Sequence, residues 1–401
     1  HSWPSFVGQE CPTYGKVYHY LILTPIQMDH GGSAMRRFAC SIFVVFAFVI
    51  ASPGVGLGQQ DTAGLLASAY QKTQTAKTVT DYTAVIDLCQ QAEGTNLTPA
   101  QTTYVRQLAS WAYNRRGEAY VDQAATALES GNKSQAAGLD AKALDNFEKA
   151  VANDETRWKA IHNRGVSYAL AGKYDKSIAD FSRVIELRPD YPNGWFNRAE
   201  IRYELGHFEQ AISDYTKTLD LNPNDFGAFT SRGHTYFRLR KFTEALADYT
   251  TAIELDESNA EAYTNRGDAH QKLEQWKEAA SDFRRAVELD PELPRAYASA
   301  AWLMATCPDK QFRNADLGLQ AAKRAIELGG AESFELLDTL AAAEANSNRF
   351  DDAIATVSKA IKLAPADASG PLAERLELYS SERPYRQQYA QSAQLETSEQ
   401  R

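Results

Sequence analysis

The segment HNRGVSY at residues 162–168 returns three times at intervals of 34 residues, as FNRAEIR at 196–202, TSRGHTY at 230–236 and TNRGDAH at 264–270. A small residue keeps the same place in every copy: Gly165, Ala199, Gly233 and Gly267. Gapless repetition at this period is typical of stacked supersecondary units, and small residues mark places where two helices approach closely. The sequence therefore predicts a helical repeat array.

The second half of each repeat has periodic positions of its own. The small residues Ser177, Ala211, Ala245 and Ala279 are followed four residues later by Phe181, Tyr215, Tyr249 and Phe283, and the units close with Pro189, Pro223, Glu257 and Pro291. Aromatic residues at this spacing fill the groove beside a small residue, and proline cannot continue a helix. Each repeat is therefore predicted to be a pair of helices, with units at 158–191, 192–225, 226–259 and 260–293.

This pattern resembles the tetratricopeptide repeat (TPR) family, whose units place small residues, aromatics and a closing proline at these positions. The resemblance implies an all-α fold: a superhelical solenoid of helix–turn–helix units whose first helices line a concave surface. CPDKQFRN at 307–314, LLDTLAAA at 336–343 and ERPYR at 382–386 are further similar to uncharacterised exported bacterial TPR-repeat proteins. That similarity implies no particular activity.

Weaker copies of the pattern flank the four repeats. We predict a degenerate leading helical pair at 62–109, a TPR-like unit with an insertion at 110–157, a second such unit at 294–333, a TPR at 334–367, a capping helix at 368–383 and a disordered tail at 384–401. The insertion in the 110–157 unit is explained either by lengthened helices or by a loop that contains Ser130, Gly131 and Asn132.

The first 58 residues have the features of a targeting segment rather than of a folded domain. Arg36 and Arg37 follow Met35, and an uncharged apolar run occupies 38–51, which is the arrangement of a secretory signal peptide at 35–58. Residues 1–34 then read as a non-native upstream extension. We expect an exported, periplasmic or extracytoplasmic protein; the alternative is a short uncleaved membrane anchor at 38–51.

Composition narrows the classes of function. The chain has 401 residues and a formal net charge of −10. This charge argues against nucleic-acid binding, because such binding requires a concentrated basic face. Cys89 and Cys307 are the two cysteines after the predicted leader, and we expect both to be unpaired. The four histidines after the leader are far apart in sequence, which argues against a metal site. No cofactor, no metal and no catalytic residues are predicted, and the chain is not expected to be an enzyme.

An asparagine recurs on the first helices of three repeats, at Asn163, Asn197 and Asn265, while Ser231 breaks the series. A column of amides at one-repeat spacing can pair with the backbone of a bound peptide, because each amide offers a donor and an acceptor. The alternative is that these asparagines satisfy groups of the helices themselves. Other first-helix residues predicted to line a peptide-binding groove are Lys159, His162, Phe196, Tyr203, Thr230, His234, Phe237, Arg238, Asp268 and Lys272.

Arginine and aspartate recur with the same period, sixteen residues apart. The predicted structural ion pairs are Arg164–Asp180, Arg198–Asp214, Arg232–Asp248 and Arg266–Asp282. On adjacent helices, a guanidinium can meet a carboxylate through two parallel hydrogen bonds. The alternative is that the arginines point into the groove and form a basic strip for acidic ligands.

These features favour a scaffold or adaptor that binds a segment of another protein in the concave groove. The partner is then a protein or peptide, no nucleic acid is involved, and a membrane is met only through an uncleaved N-terminal segment. A structural spacer or a self-assembling envelope component with an unused groove is the alternative. Clustered, exposed Phe196, Tyr203 and Phe237 would favour the binder.

Overall fold

The computed structural model describes residues 57–330 and 333–388, and these ranges contain seventeen α-helices, one short 3-10 helix and no β-strand. The helices group into two compact units, whose described parts are residues 57–205 and 206–388. The first unit contains α1 (Leu57–Thr73), α2 (Val79–Glu93), α3 (Pro99–Glu129), α4 (Lys133–Asn153), α5 (Trp158–Leu170), α6 (Tyr174–Leu187) and α7 (Pro192–Glu204).

The second unit contains α8 (Phe208–Leu221), α9 (Phe226–Arg238), α10 (Phe242–Leu255), α11 (Ala260–Lys272), α12 (Trp276–Leu289), α13 (Pro294–Thr306), α14 (Ala315–Gly329), α15 (Phe334–Asn346), α16 (Phe350–Leu363) and α17 (Ser369–Ser380). The first helices of the repeats are α5, α7, α9, α11, α13 and α15. The fold is an all-α helical repeat, as predicted.

Local sequence explains where a repeat begins and turns. At α9, the Asp225 side chain accepts a hydrogen bond from the N–H of Ala228 at 3.0 Å, which satisfies one of the free donors at the helix start. After α9, Arg240 adopts a left-handed conformation with φ of 61°. This residue lets the N–H of Lys241 donate to the Tyr236 carbonyl at 2.9 Å, and α10 starts at the next residue.

The structure corrects the predicted boundary between residues 109 and 110. That boundary falls inside α3, which continues for 31 residues because the sequence contains no proline between Pro99 and Glu129. The chain turns only at Ser130 and Gly131, where Gly131 has a φ of 76°. Lengthened helices, rather than a long loop, therefore account for the extra residues of the 110–157 unit.

The structure also corrects part of the predicted disordered tail. Residues 384–388 are described, 385–387 contact α13 and α15 with Gln387 only 7% exposed, and 389–401 lie outside the described residues. The reason is that Tyr385, Arg386 and Gln387 each have a contact on those helices. The helix α17 lies within the region predicted as a cap.

Several other predictions concern the N-terminus and the cysteines. Cys89 and Cys307 are buried and free, as expected.

The predicted extension at 1–34 and nearly all of the predicted leader at 35–58 lie outside the described residues, and export stays a prediction. Within 57–330 and 333–388, no helix combines the length and apolarity needed to cross a bilayer. The same ranges hold no grouping of histidine, cysteine and acidic side chains suited to a metal ion.

Candidate functional site

Three of the four predicted arginine–aspartate pairs are present. Arg164 meets Asp180 through two hydrogen bonds, Nε to Oδ2 at 2.8 Å and Nη2 to Oδ1 at 2.7 Å. Arg232 with Asp248 and Arg266 with Asp282 have the same geometry, at 2.8 to 2.9 Å. These arginines are neutralised within their helix pairs and do not form a basic strip. Arg198 and Asp214 belong to different units, and their pairing stays a prediction.

The asparagine side chains on α5 and α7 each contact the helix two before their own in the chain. Asn163 Nδ2 on α5 donates to Asn114 Oδ1 at 3.0 Å and to Glu118 Oε1 at 3.1 Å, both on α3. Asn197 Nδ2 on α7 lies 2.9 Å from His162 Nε2 on α5. The amides on this side of the array are therefore used in contacts between successive repeats.

Asn265 has the same role in the second unit. Its Oδ1 accepts from Arg295 Nη1 at 2.6 Å, and Arg295 Nη2 also contacts Asp268 Oδ2 at 2.6 Å. Asn197 and Asn265 are 1% and 3% exposed. The prediction that these two amides pair with a peptide backbone is therefore wrong, because their side chains are buried between helices. The alternative, that asparagine satisfies groups of the array itself, fits their contacts.

Three further predicted groove residues are buried. Phe196 is 5% exposed, so its ring belongs to the core and is not available to a ligand. Thr230 is buried and donates its hydroxyl to the Phe226 carbonyl at 3.0 Å. His162 is buried, with its ring centroid 5.7 Å from that of Phe181 and 5.5 Å from that of Tyr191. These residues support the surface but do not present side chains to solvent.

Burial lowers the pKa of His162 to about 4, because the apolar surroundings disfavour the charged ring. An amide nitrogen can only donate, so Nε2 accepts from Asn197 and the proton of the neutral ring sits on Nδ1. The stability supplied by this neutral site is complete above pH 6.5, the unfolded pKa, and is lost as the pH falls towards 4.

Substitution of His162 is expected to remove this pH dependence. Between pH 7.5 and pH 5, the free energy of unfolding of the wild type should fall by about 2 kcal/mol more than that of His162→Gln, which keeps an acceptor for Asn197. Urea unfolding followed by circular dichroism at both pH values measures the difference. Parallel losses of stability in the two proteins would contradict the assignment of a buried neutral His162.

The remaining predicted residues are at least partly accessible. Lys159 Nζ lies 5.5 Å from the ring centroid of Trp158, and Tyr203 is half-buried. In the second unit, the His234 ring lies 5.6 Å from that of Tyr249. Asp268 is held by Arg295, as described above.

Phe237 and Arg238 at the end of α9 and Lys272 at the end of α11 are at least partly accessible, and these three residues are called here the α9–α11 patch. The Phe237 ring packs edge-on against Phe242 at 5.2 Å, and exposed Arg238 lies over the Phe208 ring at 5.3 Å. Desolvation lowers the pKa of Lys272, nearby Arg240 adds to this effect, and Asp268 opposes it. The patch thus combines an apolar ring with cationic groups.

A contact that the sequence did not predict lies on the first helices α13 and α15. Tyr385, which follows α17, has its ring 5.8 Å from that of Trp302 on α13. The guanidinium of Arg375 on α17 lies 5.6 Å and 5.3 Å from the centroids of Trp302 and Tyr385, respectively. Arg375 is fixed in turn by two 2.7 Å hydrogen bonds to Asp338 on α15.

The next two residues of this segment bind the end of α13. Arg386 Nη1 donates to the Ala305 carbonyl at 2.8 Å, and Nη2 donates to Asn346 Oδ1 on α15 at 2.9 Å. The main-chain N–H of Gln387 donates to the Thr306 carbonyl at 2.9 Å, and its Nε2 donates to Thr306 Oγ1 at 2.7 Å. The available sequence signals were ERPYR at 382–386 and the insertion at 307–314.

Comparison with protein families identifies the repeats. A family model described as TPR repeat matches residues 165–206 and 233–274, and one described as tetratricopeptide repeat matches 192–225 and 260–293. The chain is a tetratricopeptide-repeat protein. The last two matches have the same bounds as two of the predicted TPR units.

Curated relatives of this TPR protein match it over a short stretch. DnaJ homolog subfamily C member 3 from Gallus gallus is 39% identical over 64 residues, which is 16% of this chain and 13% of that protein. The protein of the same name from Rattus norvegicus is 35% identical over 74 residues, which is 18% of this chain and 15% of the relative. The chain therefore spans less than a sixth of the length of these relatives.

Solved TPR structures show partial similarity. A tetratricopeptide repeat protein from Parabacteroides merdae has a TM-score of 0.46 and 17% identity, over 66% of this chain and 98% of that one. YrrB, described as a TPR protein with an unusual peptide-binding site, has a TM-score of 0.36 and 19% identity, over 44% of this chain and 88% of its own. At these TM-scores, neither similarity bears on function.

Proposed function

We propose that this TPR protein is a non-enzymatic scaffold or adaptor that binds a segment of another polypeptide on the surface of its first helices. The observation that carries the proposal is the non-helical segment at residues 385–387. That segment is held on α13 and α15 by one main-chain hydrogen bond, by side-chain hydrogen bonds and by a ring contact. A surface that holds a non-helical segment of its own chain can hold a segment of another polypeptide through the same kinds of contact.

The α9–α11 patch is the surface that we propose for the partner. It offers the half-buried ring of Phe237 and the cationic groups of Arg238 and Lys272, at the ends of α9 and α11. Aromatic and arginine side chains provide much of the binding energy at protein interfaces. The desolvated ammonium group of Lys272 would regain its ordinary pKa next to a bound carboxylate. We therefore propose a partner segment that carries an acidic side chain next to an apolar one.

A non-enzymatic role is supported by the positions of the histidines. His162, His207, His234 and His270 belong to four different repeats, and His162 is buried and neutral. General acid–base catalysis requires such groups to lie within reach of one another or of a substrate. The first-helix surface instead suits an extended ligand.

Selection of peptides from a random library on the full chain tests this function. We expect the enriched peptides to contain acidic and apolar residues, and the double variant Arg238→Glu/Lys272→Glu to bind them at least about tenfold more weakly, which is about 1.4 kcal/mol. Fluorescence anisotropy measures the affinities. The matched control is Lys277→Glu/Arg284→Glu, which makes the same charge change at exposed positions on α12.

Two outcomes would contradict the proposed function. One is that no peptide is enriched. The other is that the α12 control weakens binding as much as the first-helix variant does, because the effect would then come from net charge rather than from a site. The alternative of a structural spacer with an unused groove predicts the first of these outcomes.

A further inference from the structure

The end of α13 differs from the ends of the other first helices. The helices α5, α9, α11 and α15 are each followed by a left-handed residue, with Gly172, Arg240, Glu274 and Asn348 at φ values of 59° to 68°. In each, a main-chain N–H then bonds back to the helix, from Lys173, Lys241, Gln275 and Arg349 to the carbonyls of Tyr168, Tyr236, His270 and Glu344. In α13, Cys307 and Pro308 follow Thr306 instead, and this capping turn is replaced by the 307–314 insertion.

The carbonyls at the end of a helix need partners from outside that helix. At α13, Asn314 of the insertion supplies an N–H to the Met304 carbonyl at 3.1 Å. The Ala305 and Thr306 carbonyls receive their donors from Arg386 and from the N–H of Gln387. With the insertion in place of the capping turn, the Ala305 and Thr306 carbonyls take their donors from another segment of the chain. The helix dipole favours a cationic side chain at this end of α13.

Three consecutive residues of the segment make three different sets of contacts. Tyr385 stacks with Trp302 and Arg375, while Arg386 lies between the Ala305 carbonyl and Asn346. The side chain of Gln387 reaches Thr306 on α13, and its Oε1 accepts from Gln271 Nε2 on α11 at 3.3 Å. The site therefore distinguishes an aromatic ring, a guanidinium and a primary amide in a fixed order.

We infer that the ends of α11, α13 and α15 form a specific site for a segment that carries tyrosine, arginine and glutamine in succession. Residues 385–387 occupy this site as an intramolecular competitor, so a partner segment with the same three side chains binds by displacing them. This inference rests on the proposed peptide-binding function and adds a second site, with its own regulation, to it. The source of the ligand is another polypeptide chain that bears this motif.

The competitor is effective because its tether is short. Only four residues separate the end of α17 at Ser380 from Tyr385. A short linker gives an effective concentration on the order of millimolar, so a free peptide at micromolar concentration cannot compete with it. The wild type is therefore expected not to bind free peptide at this site. A variant in which residues 385–387 no longer occupy the site is expected to bind it.

The probe is a fluorescein-labelled peptide with the sequence of residues 382–388, ERPYRQQ, and the protein is the full chain. We expect Tyr385→Ala/Arg386→Ala to bind the peptide at least tenfold more tightly than the wild type does in fluorescence anisotropy. The control variant Gln388→Ala changes an exposed neighbour and should behave as the wild type. A peptide with the same residues in scrambled order should bind neither protein.

Hydrogen exchange followed by mass spectrometry reports independently on the segment. In the wild type, the N–H of Gln387 should exchange at least tenfold more slowly than in the double variant, because it is bonded to the Thr306 carbonyl. If circular dichroism finds the double variant misfolded, Gln387→Pro replaces it in the peptide-binding measurement. Proline removes the N–H that bonds to the Thr306 carbonyl and leaves the side chains of Tyr385 and Arg386 unchanged.

The inference is overturned if the peptide binds wild type and variant equally, if it binds neither opened variant, or if the Gln387 N–H exchanges freely in the wild type. None of these results affects the peptides selected on the α9–α11 patch, whose binding depends on Arg238 and Lys272. Conversely, a failed library selection leaves binding of ERPYRQQ to the opened chain intact. Failure of this inference and failure of the proposed function are therefore distinguishable.

Discussion

Replacement of Asp338 by alanine is expected to lower the free energy of unfolding of the 206–388 unit by about 3–5 kcal/mol. Asp338 and Arg375 are 2% and 3% exposed at their side chains and are joined by two hydrogen bonds of 2.7 Å. Loss of the carboxylate leaves the guanidinium of Arg375 buried without its counter-ion. The same change should loosen the segment at 385–387, because Tyr385 stacks on Arg375.

The measurement is urea unfolding of the full chain, followed by circular dichroism. Glu288→Ala is the matched control, because it removes a carboxylate from an exposed pair with Arg285, in which the side chains are 54% and 48% exposed. We expect that control to change the free energy of unfolding by less than about 1 kcal/mol. If Asp338→Ala cost no more than Glu288→Ala, the buried pair would not have the role assigned to it. A combined Asp338→Leu/Arg375→Met variant should recover part of the loss, since it removes both charges.

Features encoded within one repeat could be predicted from the sequence. The helix pairs follow from small and aromatic residues at fixed spacing, and the Arg164–Asp180 pair follows from two columns with one period. Both depend on neighbours less than one repeat away in the chain. The repeat period determines which of these residues face each other, so the helix pairs and ion pairs could be predicted from one sequence.

Exposure and long-range contacts could not be predicted in the same way. Phe196 and Asn265 occupy positions where the family carries ligand contacts, but their exposure depends on how closely the next first helix packs. The contact between Gln387 and Thr306 joins residues 81 positions apart. It arises because the insertion removes a capping turn from α13. The break in the 34-residue period locates that insertion but does not indicate which distant residues take over the contacts of the lost turn. The 384–388 stretch is polar, which explains why composition alone indicated disorder.

Phe283→Ala is expected to destabilise the 206–388 unit by about 3–5 kcal/mol, because Phe283 is 1% exposed and its loss leaves a cavity between α11 and α12. The ring lies directly against Gly267: a Cβ at position 267 would be 2.5 Å from Phe283 Cε1 and 2.8 Å from Cδ1. Gly267→Ala alone should therefore cost about 1–3 kcal/mol through overpacking.

The two substitutions should not be additive. In the Phe283→Ala background, Gly267→Ala no longer meets the ring, and alanine is the better helix former by about 0.5–1 kcal/mol, so the added methyl group should become neutral or stabilising. Gly138→Ala on α4 is the control, because no atom lies within 4 Å of its added Cβ. Urea unfolding of the four proteins in this cycle measures a coupling of at least about 1 kcal/mol if ring and glycine are in contact as described. Additive losses would mean that the repeat does not require a small residue beneath its aromatic one, which is the relation on which the 34-residue pattern depends.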